Sequence, residues 1–279
     1  MQLQYTMKNR IKIVDLSTLI PGPFATYLLQ KYLDAEVIKF EDTQRGDNFR
    51  LLRPTQDGIS LAYQSINSRK KIIPVDLRRD GLDKIKTEIK NADVFVQNYK
   101  AGRGEKYGLG FEDLLSVNPH ILYCTIRGYG EKHPFAKKGA HDLNILGLSG
   151  YLDEQIRSTG SSSLPPMQIA DILTSYNVCI QIISSLYKGE KGRHLSVSMH
   201  EATLEALTLY NYPQLMSKAP ISNEDNVMSG LYPCYRLYKS SDKRWVAVAA
   251  LESTLWVDFC HVLKREDLIS KQFVMEAAQ

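Results

Sequence analysis

Along the first half of the chain, short apolar runs of β character alternate with residues at helical spacing. Ile11 to Asp15 (IKIVD) predicts a strand, and Pro21-Gly22-Pro23 breaks the chain after it. ATYLLQKYL then places apolar residues three and four apart, the spacing of a helix with one buried face, and Ala35 ends it. Glu36 to Glu41 (EVIKFE) predicts a second strand, KIIPVDL a third and ADVFVQN a fourth, with a helix over Gly81 to Lys90 between the last two. A short helix around Phe111 to Ser116 leads into the strand ILYCTIRG. Strands that alternate with helices imply right-handed crossovers. The expected class is therefore α/β, with a large, doubly wound, mostly parallel Rossmann-like sheet.

The pattern changes after Gly128. Residues 128 to 170 are rich in Gly, Ser and Pro, including STGSSSLPP, and loops beyond strand ends are where such sheets carry chemistry. A long helix is expected over Ile172 to Lys188 with Gly189 as its stop, followed by the strand-like HLSVS. Another helix, Glu201 to Met216, precedes Pro220 and the polar stretch ISNEDN. YPCYRLYKSSDKRWVAVAAL then reads as an antiparallel hairpin turning at Ser241-Asp242, closed by a helix over Thr254 to Leu263. The expected organisation is a large domain over 1–200, a linker helix region over 201–227, and a small α+β domain over 228–279.

Composition narrows the classes. With 43% apolar and 24% charged residues the chain has globular proportions, which excludes disordered, collagen-like and coiled-coil chains. The net charge of +4 is mild and fits a small anionic ligand better than nucleic acid. No apolar run approaches the length of about 18 residues that crosses a bilayer, and MQLQYTMKNR does not read as a secretory signal. The expectation is a soluble cytoplasmic protein with no membrane and no nucleic-acid partner. Cys124, Cys179, Cys234 and Cys260 are widely spaced in apolar contexts, which reads as buried thiols. The six histidines form neither H-E-x-x-H nor an i, i+4 pair, so no metal site is expected.

Candidate chemistry lies in three places. The first strand–helix turn, LSTLIPGP, and the cluster AGRGEKYGLG both miss G-x-G-x-x-G, so neither supplies a dinucleotide fingerprint. Lys39 and Arg45, then Arg69, Lys70 and Lys71, then Lys100, Arg103 and Lys106 recur around the strands and the loops that join them. They are either solvated surface charge or the lining of a site for a polyphosphate. His141 and Asp142 precede an apolar helix, and Asp171 opens the long helix, where it is either a cap or an acid/base group. Glu252 follows the apolar run WVAVAAL and must be exposed, capping or paired.

Taken in order, several blocks resemble one family. VDLSTLIPGPFATYLLQKYLDAEVIKFE, RGDNFR, INSRKKIIPVDLR, ADVFVQNYKAGRGEKYGLGFEDL, NPHILYCTIRGYG, GAHDLNIL, PPMQIAD and KGRHLSVSM are similar to the family III CoA-transferases (CaiB/BaiF), particularly the alpha-methylacyl-CoA racemase branch. The resemblance extends through PCYRLYKSSDKRWVAVAALE and covers about residues 11 to 265. It implies an enzyme of acyl-CoA thioesters in which coenzyme A is part of the substrate, with no separate cofactor and no metal. It also implies an intertwined homodimer. Asp171 matches the residue that is a nucleophile in transferases and a base in racemases; His141 and Glu252 match the racemases' other catalytic groups. The resemblance places Lys39, Lys70, Asn98, Lys100, Lys106 and Asp142 at the CoA site. The activity it implies is racemisation of 2-methylacyl-CoA-type thioesters by two-base proton transfer through an enolate. The alternatives are CoA transfer with Asp171 as nucleophile, or CoA binding without catalysis. Two features depart from the family: Lys100 and Lys106 stand where Arg is usual, and ADILTS replaces A-D-F-A-G-G. Relatives continue beyond the small domain, so this chain is expected to lack their returning segment.

Overall fold

A computed structural model describes residues 10–217 and 227–274; the polar stretch ISNEDN lies outside them. By internal contacts the chain divides into two compact units, Met1–Gly150 with Pro165–Leu207, and Tyr151–Leu164 with Thr208–Gln279.

The first unit begins with β1 (Lys12–Asp15), α1 (Pro21–Leu33) and β2 (Glu36–Asp42). Pro21 stands at the helix start, where its missing N–H costs nothing. At the other end Asp34 turns the chain out of the helix in the left-handed conformation, φ 50°. A 3-10 turn (Asn48–Leu51) and a small hairpin of β3 (Thr55–Gln56) and β4 (Ile59–Ser60) follow, then α2 (Leu61–Asn67). The pattern of apolar positions shows none of these three. β5 (Lys71–Val75), α3 (Gly81–Ile89), β6 (Val94–Gln97), α4 (Arg103–Lys106), α5 (Phe111–Leu115) and β7 (Leu122–Arg127) continue the alternation. After β7 come α6 (Asp142–Leu148) and, in the second unit, α7 (Tyr151–Thr159). The chain then returns to the first unit through α8 (Ile169–Tyr187), β8 (Arg193–Ser198) and α9 (Met199–Ala206).

Six strands pair in the order β5-β2-β1-β6-β7-β8, all parallel. Among sheet members this is 3-2-1-4-5-6, the doubly wound order whose direction of growth reverses between β1 and β6. All four residues of β6 are buried, as are Ile13, Val14 and Asp15 of β1, because helices cover both faces of the sheet. One face packs Val14, Phe40, Phe95 and Tyr123 against Ile85, Ile89 and Leu114. On the other face α8 packs against α1 and α9, with Ala170, Thr174, Val178 and Ile182 buried. By length and composition α8 could cross a membrane, which corrects the expectation that no apolar run does; in this unit it is a core helix.

The helix expected over Glu201 to Met216 is two helices, α9 and α10 (Thr208–Met216), separated where Leu207 leaves helical geometry. The unit boundary falls between them. In the second unit β9 (Tyr235–Lys239) and β10 (Trp245–Ala249) pair antiparallel, with Lys239 opposite Trp245. The Asp242 carboxylate takes the Arg244 N–H in the turn between them. α11 (Ser253–Val262) and a 3-10 turn (Glu266–Lys271) close a core of Cys234, Val248, Ala250, Trp256 and Cys260. All four cysteines are buried and free.

Candidate active site

The reversal of strand order leaves the loops after β1 and β6 side by side, and they are tied together directly. The Thr18 N–H donates to Asn98 Oδ1 at 3.0 Å, and Asn98 Nδ2 donates to the Thr18 carbonyl at 2.8 Å. Above this seam lies a cleft of about 430 Å³, walled by Thr18, Asn98, Lys100, Lys138, His141 and Asp171 among others. A second hollow of about 260 Å³ shares Thr18, Asn98 and Lys100 and extends past Arg45 and Arg103. The two hollows, together the groove, thus share a wall: His141 and Asp171 line the first together with Lys100, Arg127 and Lys138, and Arg45 and Arg103 line the second.

The loop Ser17–Ile20 that floors the groove is held from below by two buried ion pairs. Lys39 Nζ lies 3.4 Å from the Asp47 carboxylate and donates to the Ser17 carbonyl, and both side chains are wholly buried. Asp47 in turn accepts the N–H groups of Leu19 and Phe49, each at 3.0 Å. Lys70 Nζ donates to the Pro23 carbonyl at 2.7 Å and to Thr26 Oγ1 at 2.8 Å, and lies 3.3 Å from Asp15. Asp15 also accepts from the N–H of Ser17 and the hydroxyls of Ser17 and Thr26. Burial alone would raise the Asp15 carboxyl, but Lys70, Lys39 and the two hydroxyls outweigh it and hold it at about 2. Burial pulls the Lys70 ammonium down to about 8, against the attraction of Asp15 and with the repulsion of Lys39. Leu19 adopts φ 65°, a left-handed conformation that costs a non-glycine residue energy and that this network over-determines. Lys39 and Lys70 therefore do not line the groove, contrary to the resemblance-based expectation. A buried lysine needs a buried partner, whether it lies within a strand as Lys39 does or just before one as Lys70 does, and each of these has one.

Lys100 is exposed and does line the cleft, its chain lying along Gly139; a Cβ on that glycine would come within 3.3 Å of Lys100 Cε. Arg103 stacks its guanidinium over Tyr99 at 4.8 Å and Tyr107 at 5.6 Å. Lys106 is exposed on α4 and is not on the cleft wall.

Asp171 occupies the first turn of α8. It is not the helix cap: Gln168 stands at that position and makes no side-chain capping bond. The Asp171 N–H is instead taken by the Asp142 carboxylate at 3.1 Å. Burial raises the Asp171 carboxyl to about 7, with Asp142 adding repulsion. The helix dipole acts in the opposite direction, and the desolvation wins. Burial also raises Asp142, while the N–H groups of Asp171 and Ala170 lower it. His141 is the N-cap residue of α6; its N–H donates to Asn144 Oδ1 at 3.0 Å and the residue lines the cleft. Glu252 belongs to the second unit, exposed at the start of α11 and making no capping bond.

An imidazole and a carboxyl raised toward neutral pH on one cleft can exchange protons with a bound carbon acid. Thr18, Lys138, Asp15 and Asp47 were not singled out by their sequence context. Asp15 ends β1 and Asp47 caps the 3-10 turn after β2, positions that carry no local signal of a buried ion pair. Among the described residues no group of three His, Cys, Asp or Glu side chains could hold a metal ion.

Comparison with known proteins gives consistent results. The chain is 30% identical to succinyl-CoA:glutarate CoA-transferase from Homo sapiens over 93% of its length and 60% of the relative's. It is 30% identical to alpha-methylacyl-CoA racemase from Mus musculus over 87% of its length and 61% of the relative's. The chain thus spans about 60% of the length of these curated relatives. The crystal structure of a CaiB/BaiF family protein from Brucella suis superposes with a TM-score of 0.81 at 25% identity, covering 96% of this chain and 74% of that one. The family model described as CoA-transferase family III matches residues 9–279. A parallel 3-2-1-4-5-6 sheet with Asp171 at its carboxyl edge thus has a family to account for it, and the chain belongs to CoA-transferase family III.

Proposed function

We propose that the groove binds an acyl-CoA thioester and that His141 and Asp171 move a proton at its α-carbon, racemising a 2-methylacyl-CoA-type substrate. The observation that carries this reading is the Asp171 carboxyl, raised to about 7 on the same cleft as His141. A group held near neutral pH can both take and return a proton, as a 1,1-proton transfer demands. One group removes the α-proton to give the enolate, and the other group delivers a proton to the opposite face. Arg45, Arg103 and Lys100 supply cations for the CoA phosphates, and Asn98 keeps the floor between them in place. An intertwined homodimer is part of the same proposal and is checked by sedimentation.

The experiment is α-carbon exchange in heavy water with a branched acyl-CoA. Uptake of deuterium by the wild type, lost in both His141→Ala and Asp171→Asn, supports racemisation. Absence of exchange across several thioesters overturns it.

CoA transfer is the second reading, favoured by the similarity to succinyl-CoA:glutarate CoA-transferase. There the Asp171 carboxylate attacks the thioester carbonyl and CoA thiolate leaves. The thiolate then attacks the Asp171 carbonyl of the anhydride and expels the donor acid. The acceptor carboxylate displaces CoA from the resulting aspartyl thioester, and thiolate attack on the acceptor's carbonyl frees Asp171 and the new acyl-CoA. Hydroxylamine trapping at Asp171 detects it. CoA binding with neither exchange nor trapping identifies a binding protein.

A further inference from the structure

The resemblance places Asp142 among the CoA ligands, but its carboxylate is already occupied within the protein. We propose that Asp142 is a positioning residue for Asp171: its carboxylate caps α8 from a neighbouring helix and fixes the start of α8 against the start of α6. The inference rests on the reading of Asp171 as the reacting carboxyl.

The geometry is specific. α8 is a 19-residue helix whose own N-cap residue, Gln168, provides no side-chain acceptor. The first N–H groups of a helix need acceptors, and leaving one without an acceptor destabilises the helix start. Asp142 fills that role from 29 residues away, accepting the Asp171 N–H at 3.1 Å and interacting with the Ala170 N–H. Asp142 is also the first residue of α6, directly after His141. One side chain therefore links the two backbone segments that carry His141 and Asp171, and the separation of the two groups is set by this contact.

The same carboxylate has an electrostatic effect. Asp142 repels charge on Asp171 and so adds to the rise caused by burial. The other titratable or charged groups on the cleft wall are His141, Tyr99, Lys100, Lys138 and Arg127; α1 presents Pro21 and α9 presents Met199, neither of which ionises. Asp142 is thus the anionic neighbour of Asp171, and it joins the mechanics of the helix start to the protonation of the reacting group.

Asp142→Asn separates these effects, because its amide oxygen can still accept the Asp171 N–H while the charge is gone. The readout is the pH titration of the Asp171 Cγ carbon in Asp-labelled full-length chain, assigned by its absence in Asp171→Asn. In Asp142→Asn the midpoint is expected to fall below the wild-type value of about 7 with the fold unchanged. In Asp142→Ala the cap is also lost, and α-proton exchange is expected to drop about tenfold or more at unchanged acyl-CoA affinity. An unmoved Asp171 midpoint in folded Asp142→Asn overturns the proposal. Acyl-CoA affinity lost in Asp142→Asn with the midpoint unmoved returns Asp142 to the ligand shell and overturns it as well. If Asp171→Asn itself retains full activity, it is the reading of Asp171 that fails, and the titration still reports on Asp142.

Discussion

Thr18 and Asn98 exchange two hydrogen bonds across the reversal point of the sheet, one to each end of the Asn98 amide. The amide is suited to this because it offers one acceptor and one donor to a backbone that presents the complementary pair. In Asn98→Asp an oxygen would face the Thr18 carbonyl, replacing a hydrogen bond with repulsion. The expected cost is about 1–3 kcal/mol at neutral pH, the range for leaving a partly buried polar group without its partner. Urea denaturation checks this, and protonating the new carboxyl at low pH should recover part of the loss.

The turn after β1 depends on a glycine. A Cβ on Gly22 would lie 2.1 Å from Ser17 Oγ and 2.2 Å from Ser17 Cβ, closer than atoms can approach. Ser17 cannot move away without giving up its bonds to Asp15. Gly22→Ala is therefore expected to destabilise at or above the upper end of the usual overpacking range of about 1–3 kcal/mol. Combining it with Ser17→Gly should relieve most of the clash, as a thermal melt of the two variants would show.

The Lys39–Asp47 pair sits where neither charge can be solvated. Lys39→Met leaves Asp47 buried and uncompensated, and a loss of about 3–5 kcal/mol is expected from breaking one side of such a pair. Asp47→Asn added to it removes the stranded charge while preserving an acceptor for Leu19 and Phe49. The double variant should be more stable than Lys39→Met alone. Equal or lower stability of the double variant in denaturant would refute the burial argument.

Asp171 should oppose folding in a defined pH window. Its carboxyl is raised from 3.8 to about 7 in the folded chain, so between those values the unfolded chain ionises first. Below this window both states are protonated and the group contributes nothing. Stability is lost relative to Asp171→Asn as pH rises through it, and above about 7 the full penalty remains. The melting temperatures of wild type and Asp171→Asn should coincide near pH 3.5, where both remain folded, and diverge by pH 8 in favour of the variant. Coincident curves throughout would show that the carboxyl is not held up.

The α/β alternation, the doubly wound class and the six strands of the sheet are legible in the sequence. Period and composition act locally: IKIVD, EVIKFE and ADVFVQN each form a strand because their apolar residues suit a sheet buried on both faces. The block order is also legible, and through it the family. Asp171 was legible only as a choice between a cap and an acid/base group. Partners decide that choice, and its partner, Asp142, lies 29 residues away.

Tertiary structure alone settled the basic residues. Lys39, Lys70, Lys100 and Lys106 look alike as sequence, each near a strand and free to meet a phosphate. In the fold the first two turn inward onto Asp47 and Asp15, Lys100 reaches the cleft and Lys106 faces solvent away from it. The reason is that a charge is placed by the balance of desolvation against its partners, and those partners are brought together by strand order, which local spacing does not encode. The sequence by itself determined the strands of the sheet and the family; three-dimensional packing decided which charges hold up the floor of the cleft and which stand on its wall, because only the fold brings their partners together.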